Sequence, residues 1–267
     1  MTIRRPEEVE QMTASKARRR ACGLRTLVTV LTLGLWFSQS PASAQQDGPD
    51  LVSARVGGVA TNGASSGVAV NQDGSVVAFY SDATLLVAND RNQARDVFVR
   101  DEATGAIELV SASSAGVQGN RASHEAAGAP SLSADGQIVA FYSDATNLVA
   151  ANLNGIRNVF IRNRASATTE VVSVGLNGDP ANGPSLFPSM SADGRYVAFQ
   201  SQASNLVAGD TNGASDIFVR DMVAGVTVRA CPVQGDRFSF SPALSDDGRV
   251  VAFASAATNL VSGDTNG

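Results

Sequence analysis

One phrase recurs four times in this sequence, and its spacing limits what the chain can fold into. The third copy runs Pro188-Ser189-Met190-Ser191-Ala192-Asp193-Gly194-Arg195-Tyr196-Val197-Ala198-Phe199. It continues through Ser204-Asn205-Leu206-Val207 and Asp210-Thr211-Asn212-Gly213 to Asp216-Ile217-Phe218-Val219-Arg220-Asp221. The Asp-Gly pair recurs at Asp73-Gly74, Asp135-Gly136, Asp193-Gly194 and Asp247-Gly248, at intervals of 62, 58 and 54 residues. A near-constant period filled with strand-like words predicts small sheets repeated around an axis.

Within the third copy, Ser189-Met190-Ser191 reads as a first strand and Ala192-Asp193-Gly194 as a tight turn in which Gly supplies positive φ. Tyr196 to Phe199 is a second strand, apolar throughout and so buried on both faces. Asp216 to Asp221 is a third strand, alternating enough to expose Arg220, and Thr227 to Ala230 is a fourth. Four short antiparallel strands per unit make a propeller blade, in which Phe79, Phe141, Phe199 and Phe253 are expected to pack between blades. The fold class is therefore all-β: a β-propeller of four-stranded antiparallel blades, incomplete, with about three and a half blades present. The long second-to-third connection, Asn205 to Ser215, and the Gly/Asn-rich passage Gly175 to Gly183 are expected on opposite faces or at the rim.

Both ends depart from the repeat. Residues 1–44 read as a secretory signal peptide: a basic stretch with Lys16, Arg18, Arg19, Arg20 and Arg25, an apolar run from Thr26 to Phe37, and the small residues Ala42-Ser43-Ala44. That run is too short for a bilayer, which needs about 20 apolar residues, so no transmembrane span is expected after cleavage. Glu7, Glu8 and Glu10 are out of place in a leader, and a start at Met12 would remove them. Residues 45–267 form the partial propeller. Asp50-Leu51-Val52-Ser53-Ala54 matches the fourth-strand word Glu108-Leu109-Val110-Ser111-Ala112, so an orphan fourth strand is expected before the first copy. The fourth copy stops at Asp264-Thr265-Asn266-Gly267, so a fragment of a longer protein is expected.

The leader carries seven of the 20 basic and three of the 25 acidic residues, which leaves 13 against 22 and a net charge of −9. All 13 are Arg. An acidic surface repels phosphate backbones and excludes nucleic acid as a partner class. Cys231 is the one thiol beyond the leader, which excludes an internal disulfide, and one Cys with one His excludes a structural zinc site.

With Pro-Ser-x-Ser-x-Asp-Gly-x-x-Val-Ala-Phe and Asp-Ile-Phe-Val-Arg-Asp laid out, the chain resembles the TolB-like β-propeller repeat family, relatives of WD-type propellers, over about residues 50–267. The resemblance implies an envelope setting, as a periplasmic binding scaffold or a propeller attached to a peptidase domain. It carries no catalytic residue, since the shared motifs are folding motifs.

The strongest candidate for chemistry is the acidic loop before the third strand. Asp210, Asn212 and Asp216 in copy three, and Asp90, Asn92 and Asp96 in copy one, place oxygen atoms at alternating positions as a Ca²⁺ loop does. Copy two reads Asn152, Asn154 and Asn158, without a carboxylate, and Ala94 and Ala214 stand where a further ligand belongs. Asx side chains capping a turn explain the same letters, so calcium and turn readings stand side by side. Gly63-Ala64-Ser65-Ser66-Gly67 matches a nucleophile elbow only as text, because it falls in an inter-blade loop with no helix after it. His124 reads as a surface loop residue, and Asp73, Asp135, Asp193 and Asp247 recur once per blade as turn residues. The expected function is an extracytoplasmic scaffold, secreted or periplasmic, binding a protein or an envelope or surface ligand. It is not an enzyme by itself; the alternatives are the accessory propeller of a secreted hydrolase or peptidase and a calcium-stabilised surface module.

Overall fold

The computed structural model describes residues 52–53, 61–88, 90–123 and 128–261. The leader, His124, the Asp264 to Gly267 loop and most of the expected orphan strand lie outside these residues.

Among the described residues, fourteen strands build three four-stranded antiparallel sheets and one two-stranded sheet. The first sheet is β1 (Ser65–Val70), β2 (Val76–Ser81), β3 (Asp96–Asp101) and β4 (Ile107–Leu109). The second is β5 (Ser131–Leu132), β6 (Ile138–Ser143), β7 (Asn158–Asn163) and β8 (Thr168–Val171). The third is β9 (Ser185–Met190), β10 (Tyr196–Ser201), β11 (Asp216–Asp221) and β12 (Val226–Arg229), and β13 (Ser239–Leu244) with β14 (Val251–Ser255) begins a fourth. Within each sheet the strands pair in chain order. The first strands β1, β5, β9 and β13 neighbour one another, so the sheets fan out around a common line. This is a β-propeller, incomplete among the described residues.

Second strands β6 and β10 face a neighbouring sheet on both sides, which is why they are apolar along their length. Val76, Ala78 and Tyr80 of β2 pack on Val139, Phe141 and Phe160 of the second sheet. Ala140 and Tyr142 of β6 repeat the contact onto Val197, Phe199 and Phe218 of the third, and Ala198 of β10 onto Val251 and Phe253. Phe141, Phe199 and Phe253 therefore sit between blades as expected, and Phe79 does not. Phe79, on the outer face of the first sheet, packs with Phe98, Ile107, Leu109 and Val52. Val52 and Ser53, the described part of the expected orphan strand, form a turn here.

Several boundaries and orientations differ from the sequence reading. First strands β9 and β13 begin at Ser185 and Ser239 and end before Ser191 and Ser245, whose hydroxyls instead cap the following turn. Ser65 and Ser66 open β1 and do not lie in a loop. The fourth strand of copy three is Val226–Arg229, one residue earlier than expected. Arg220 is half-buried, its Nη1 donating to Thr227 Oγ1 directly opposite it on β12. Strand parity corrects the loops: with four antiparallel strands per sheet, the second-to-third connection and the inter-blade passage must leave by the same end. They do, and they bond to each other there.

Candidate functional site

At that end the two connections form a reciprocal clasp. Asn182 donates its backbone N–H to Asn205 Oδ1 at 3.0 Å, its Nδ2 donates to Ser204 Oγ at 2.9 Å, and its Oδ1 accepts the Ser204 N–H at 2.9 Å. Asn205 Nδ2 closes the ring on the Pro180 carbonyl. Asn120 with Thr146 and Asn147, and Asp236 with Thr258 and Asn259, repeat the clasp. One hydroxyl pair per sheet lies just inside it: Ser65–Ser81, Ser123–Ser143, Ser185–Ser201 and Ser239–Ser255, at 2.9 to 3.0 Å.

The acidic loops are part of this end. In the first copy, Gln118 Nε2 donates to Asp90 Oδ1 at 2.7 Å and to Asp96 Oδ2 at 2.8 Å, so one amide from the inter-blade passage bridges both carboxylates. Asn92 Nδ2 donates to Asp96 Oδ2 and to the Gly119 carbonyl, while Asn92 Oδ1 accepts the Ala94 N–H in an Asx turn. Asp96 is fully buried, and Ser111 Oγ donates to its Oδ1. Burial pushes its carboxyl up to about 6, against the three donors that favour the charged form.

The third copy keeps the plan with different partners. Gln234 Nε2 donates to Asp210, Asn212 Nδ2 to Asp216 and to the Gly235 carbonyl, and Arg229 Nη1 stands 3.8 Å from Asp216 Oδ2. Burial raises both carboxyls, and the Arg229 charge opposes the rise. The second copy drops the carboxylates and the bridging amide together: Pro180 takes the place of Gln118 in the bridge that Val174 makes, and Asn158 Nδ2 turns to the Ile156 carbonyl. The inward carboxylate oxygens thus meet amide, hydroxyl or guanidinium donors from this chain. No group of three or more His, Cys, Asp and Glu side chains that could hold a metal occurs among the described residues.

The opposite end carries the Asp-Gly turns. Asp135, Asp193 and Asp247 each accept the backbone N–H two residues on, at 3.0 to 3.1 Å, and a Ser hydroxyl two residues back, at 2.6 Å. Ala134 donates its N–H to the Ala192 carbonyl at 2.8 Å, and Ala192 to Asp246 at 2.9 Å, so neighbouring turns are laced around the axis. Beside this lacing lies a cavity of about 300 Å³, lined by Val70, Gln72, Leu132, Met190 and Asp246 among others. In the first two copies the Arg of the third strand locks its blade to the row before it. Arg162 Nη1 donates to the Ala112 and Ser113 carbonyls, and Arg100 Nη1 to the Val52 carbonyl.

Ser65 Oγ donates to Ser81 Oγ, which places the elbow-like serine in a structural pair. Sequence reasoning missed the clasp, the serine pairs and the Arg lock, although each recurs in more than one copy. The recurrence itself was the signal.

No family model matches the sequence, and no curated protein matches it. Among solved structures, the chain is similar to TolB from Acinetobacter baumannii at 19% identity and a TM-score of 0.45, over 72% of this chain and 37% of that one. A putative TolB from Agrobacterium tumefaciens gives 17% and 0.43, over 72% and 59%, and an oligogalacturonate lyase from Vibrio parahaemolyticus gives 12% and 0.44, over 73% and 46%. The chain spans between 37% and 59% of the length of these proteins. At such identities the likeness is one of fold, and the β-propeller itself rests on the sheets described above.

Proposed function

We propose that this chain is the propeller of an extracytoplasmic binding scaffold that takes a protein or envelope ligand and performs no catalysis of its own. One observation carries the reading: the polar side chains that recur in every blade are spent on turns, clasps and locks. Asp193 caps its own turn, Ser185 pairs with Ser201, and Asn182 clasps Ser204, so the repeated chemistry serves architecture. The leader over residues 1–44 supports the compartment, and no helix among the described residues is long and apolar enough to cross a membrane.

A phosphatase that is active only after export, fused behind residue 60, tests the compartment. Activity with a mature N-terminus at Gln45 agrees with the proposal; an inactive, uncleaved fusion contradicts it. Saturable binding of the mature chain to an envelope fraction, without turnover of peptide or polygalacturonate substrates, agrees with the scaffold. Turnover by the purified chain would transfer the assignment to a hydrolase or lyase. The calcium-stabilised reading rests on the alternating oxygens of Asp210, Asn212 and Asp216 and of Asp90, Asn92 and Asp96. A thermal shift with Ca²⁺ that disappears in Asp210→Ala and Asp216→Ala would establish it, and no shift in the parent would remove it.

A further inference from the structure

The described residues contain five Asn-Gly dipeptides, at Asn62, Asn154, Asn177, Asn182 and Asn212. This dipeptide can cyclise: the glycine backbone nitrogen attacks the Asn side-chain carbon, a C–N bond forms, and the Cγ–Nδ2 bond breaks with release of ammonia. Water then opens the succinimide at either carbonyl, giving aspartate or isoaspartate. The glycine lacks a side chain to obstruct the attack, so what separates one Asn-Gly from another is how firmly each amide is held.

The fold holds them unequally. Asn212 is fastened by Asp216, the Gly235 carbonyl and the Ala214 N–H. Asn182 is fastened in its clasp with Ser204, and Asn62 donates to Thr84 Oγ1. Asn154 is the second copy's counterpart of Asn212, but the carboxylate that would hold it is Asn158 there, whose amide turns to the Ile156 carbonyl. The Asn154 side chain is exposed and makes no hydrogen bond to any described residue. Asn154 and Gly155 both take positive φ, 57° and 67°, in a two-residue turn closed by the Ile156 N–H on the Leu153 carbonyl. The Gly155 N–H has no backbone acceptor among the described residues, and Arg121 Nη1 lies 3.6 Å from where a β-carbon on Gly155 would stand. A guanidinium there favours loss of the amide proton that precedes attack. Asn177 is also exposed, but its Gly178 N–H donates to the Gly175 carbonyl at 3.3 Å.

We propose that Asn154-Gly155 is a self-modification site, the dipeptide that converts first to aspartate and isoaspartate, placing a new negative charge on the clasp end of the second blade. The test is incubation of the purified mature chain in mildly alkaline buffer, followed by peptide mapping with fragmentation that separates aspartate from isoaspartate. The expected order is Asn154 first, Asn177 after it, and Asn62, Asn182 and Asn212 last. Conversion of Asn182 or Asn212 as fast as Asn154 would overturn the proposal. In Asn158→Asp, the restored carboxylate should recapture the Asn154 amide and slow its conversion several-fold; an unchanged rate in the folded variant would overturn the hydrogen-bond explanation. The parent's own order of conversion decides the matter should that variant not fold.

Discussion

Gly74 and Gly194 hold the same turn position with nearly the same φ, 79° and 73°, yet only one of them touches another blade. A β-carbon on Gly194 would run into Ile138 of the preceding blade, whereas one on Gly74 would meet nothing within 4 Å. Either Gly→Ala change incurs the left-handed penalty of roughly 1–2 kcal/mol. Gly194→Ala adds an overpacking term of about 1–3 kcal/mol. Urea unfolding should therefore rank Gly194→Ala below Gly74→Ala, and equal losses would contradict the inter-blade contact. Ser241 holds φ 54° with an exposed side chain, so Ser241→Gly should raise stability by about 0.5–1 kcal/mol. The turn role of these glycines was legible, because Asp-Gly needs only its own neighbours to be understood. The contact to the next blade was not, since it joins residues 56 apart through an unremarkable Ile.

Asp96 makes the residue-scale account pH-dependent. Its carboxyl is raised from the usual 3.8 to about 6 by burial, so the stability it contributes is fully present below about pH 4 and is lost as pH rises through 6. Asp221 runs the other way: Arg195 holds it down at about 2, so its contribution is present above about pH 4 and lost as pH falls through 2. Asp96→Asn removes the first titration. The stability of the parent minus that of the variant should fall between pH 4 and 6, at up to about 1.4 kcal/mol per pH unit. A difference that stays flat across that window would contradict the burial-raised Asp96 carboxyl.

At the scale of elements, the clasp explains a word the sequence displays without its meaning. Ser204-Asn205-Leu206-Val207 was visible as a repeat, and Leu206 was readable as core. The partner of Asn205 was not, because Asn182 sits in a Gly/Asn-rich passage where polar letters are expected anyway. Parity would have supplied the missing half: four antiparallel strands return both connections to one end. Asn182→Ala removes two side-chain hydrogen bonds and should cost about 1–3 kcal/mol. Asn182→Ala with Asn205→Ala should cost less than the two single changes summed, because both act on one clasp. Strict additivity in a double-mutant cycle would show that the two loops do not hold each other. The acidic loops were legible as letters and ambiguous as chemistry. Gln118 decides how Asp90 and Asp96 are satisfied, and it lies 22 residues beyond Asp96 in a passage with no recognisable motif.

Across the described blades, second strands β6 and β10 each carry one face for the blade before and one for the blade after, and that alternation builds the radial array. Phe141 faces the first sheet while Tyr142 faces the third. The same polarity orders the laced turns, Ala134 to Ala192 to Asp246. Cysteine cross-linking in a Cys231→Ser background tests this arrangement most directly. A disulfide needs Cα atoms within about 7 Å. The account predicts that Ala134→Cys with Ala192→Cys oxidises readily to an internal disulfide, as does Ala192→Cys with Asp246→Cys, while Val77→Cys with Asp246→Cys, separated by intervening blades, stays reduced. Failure of both neighbouring pairs to close, or closure of the distant pair instead, would contradict a propeller built by stacking the four copies in sequence order.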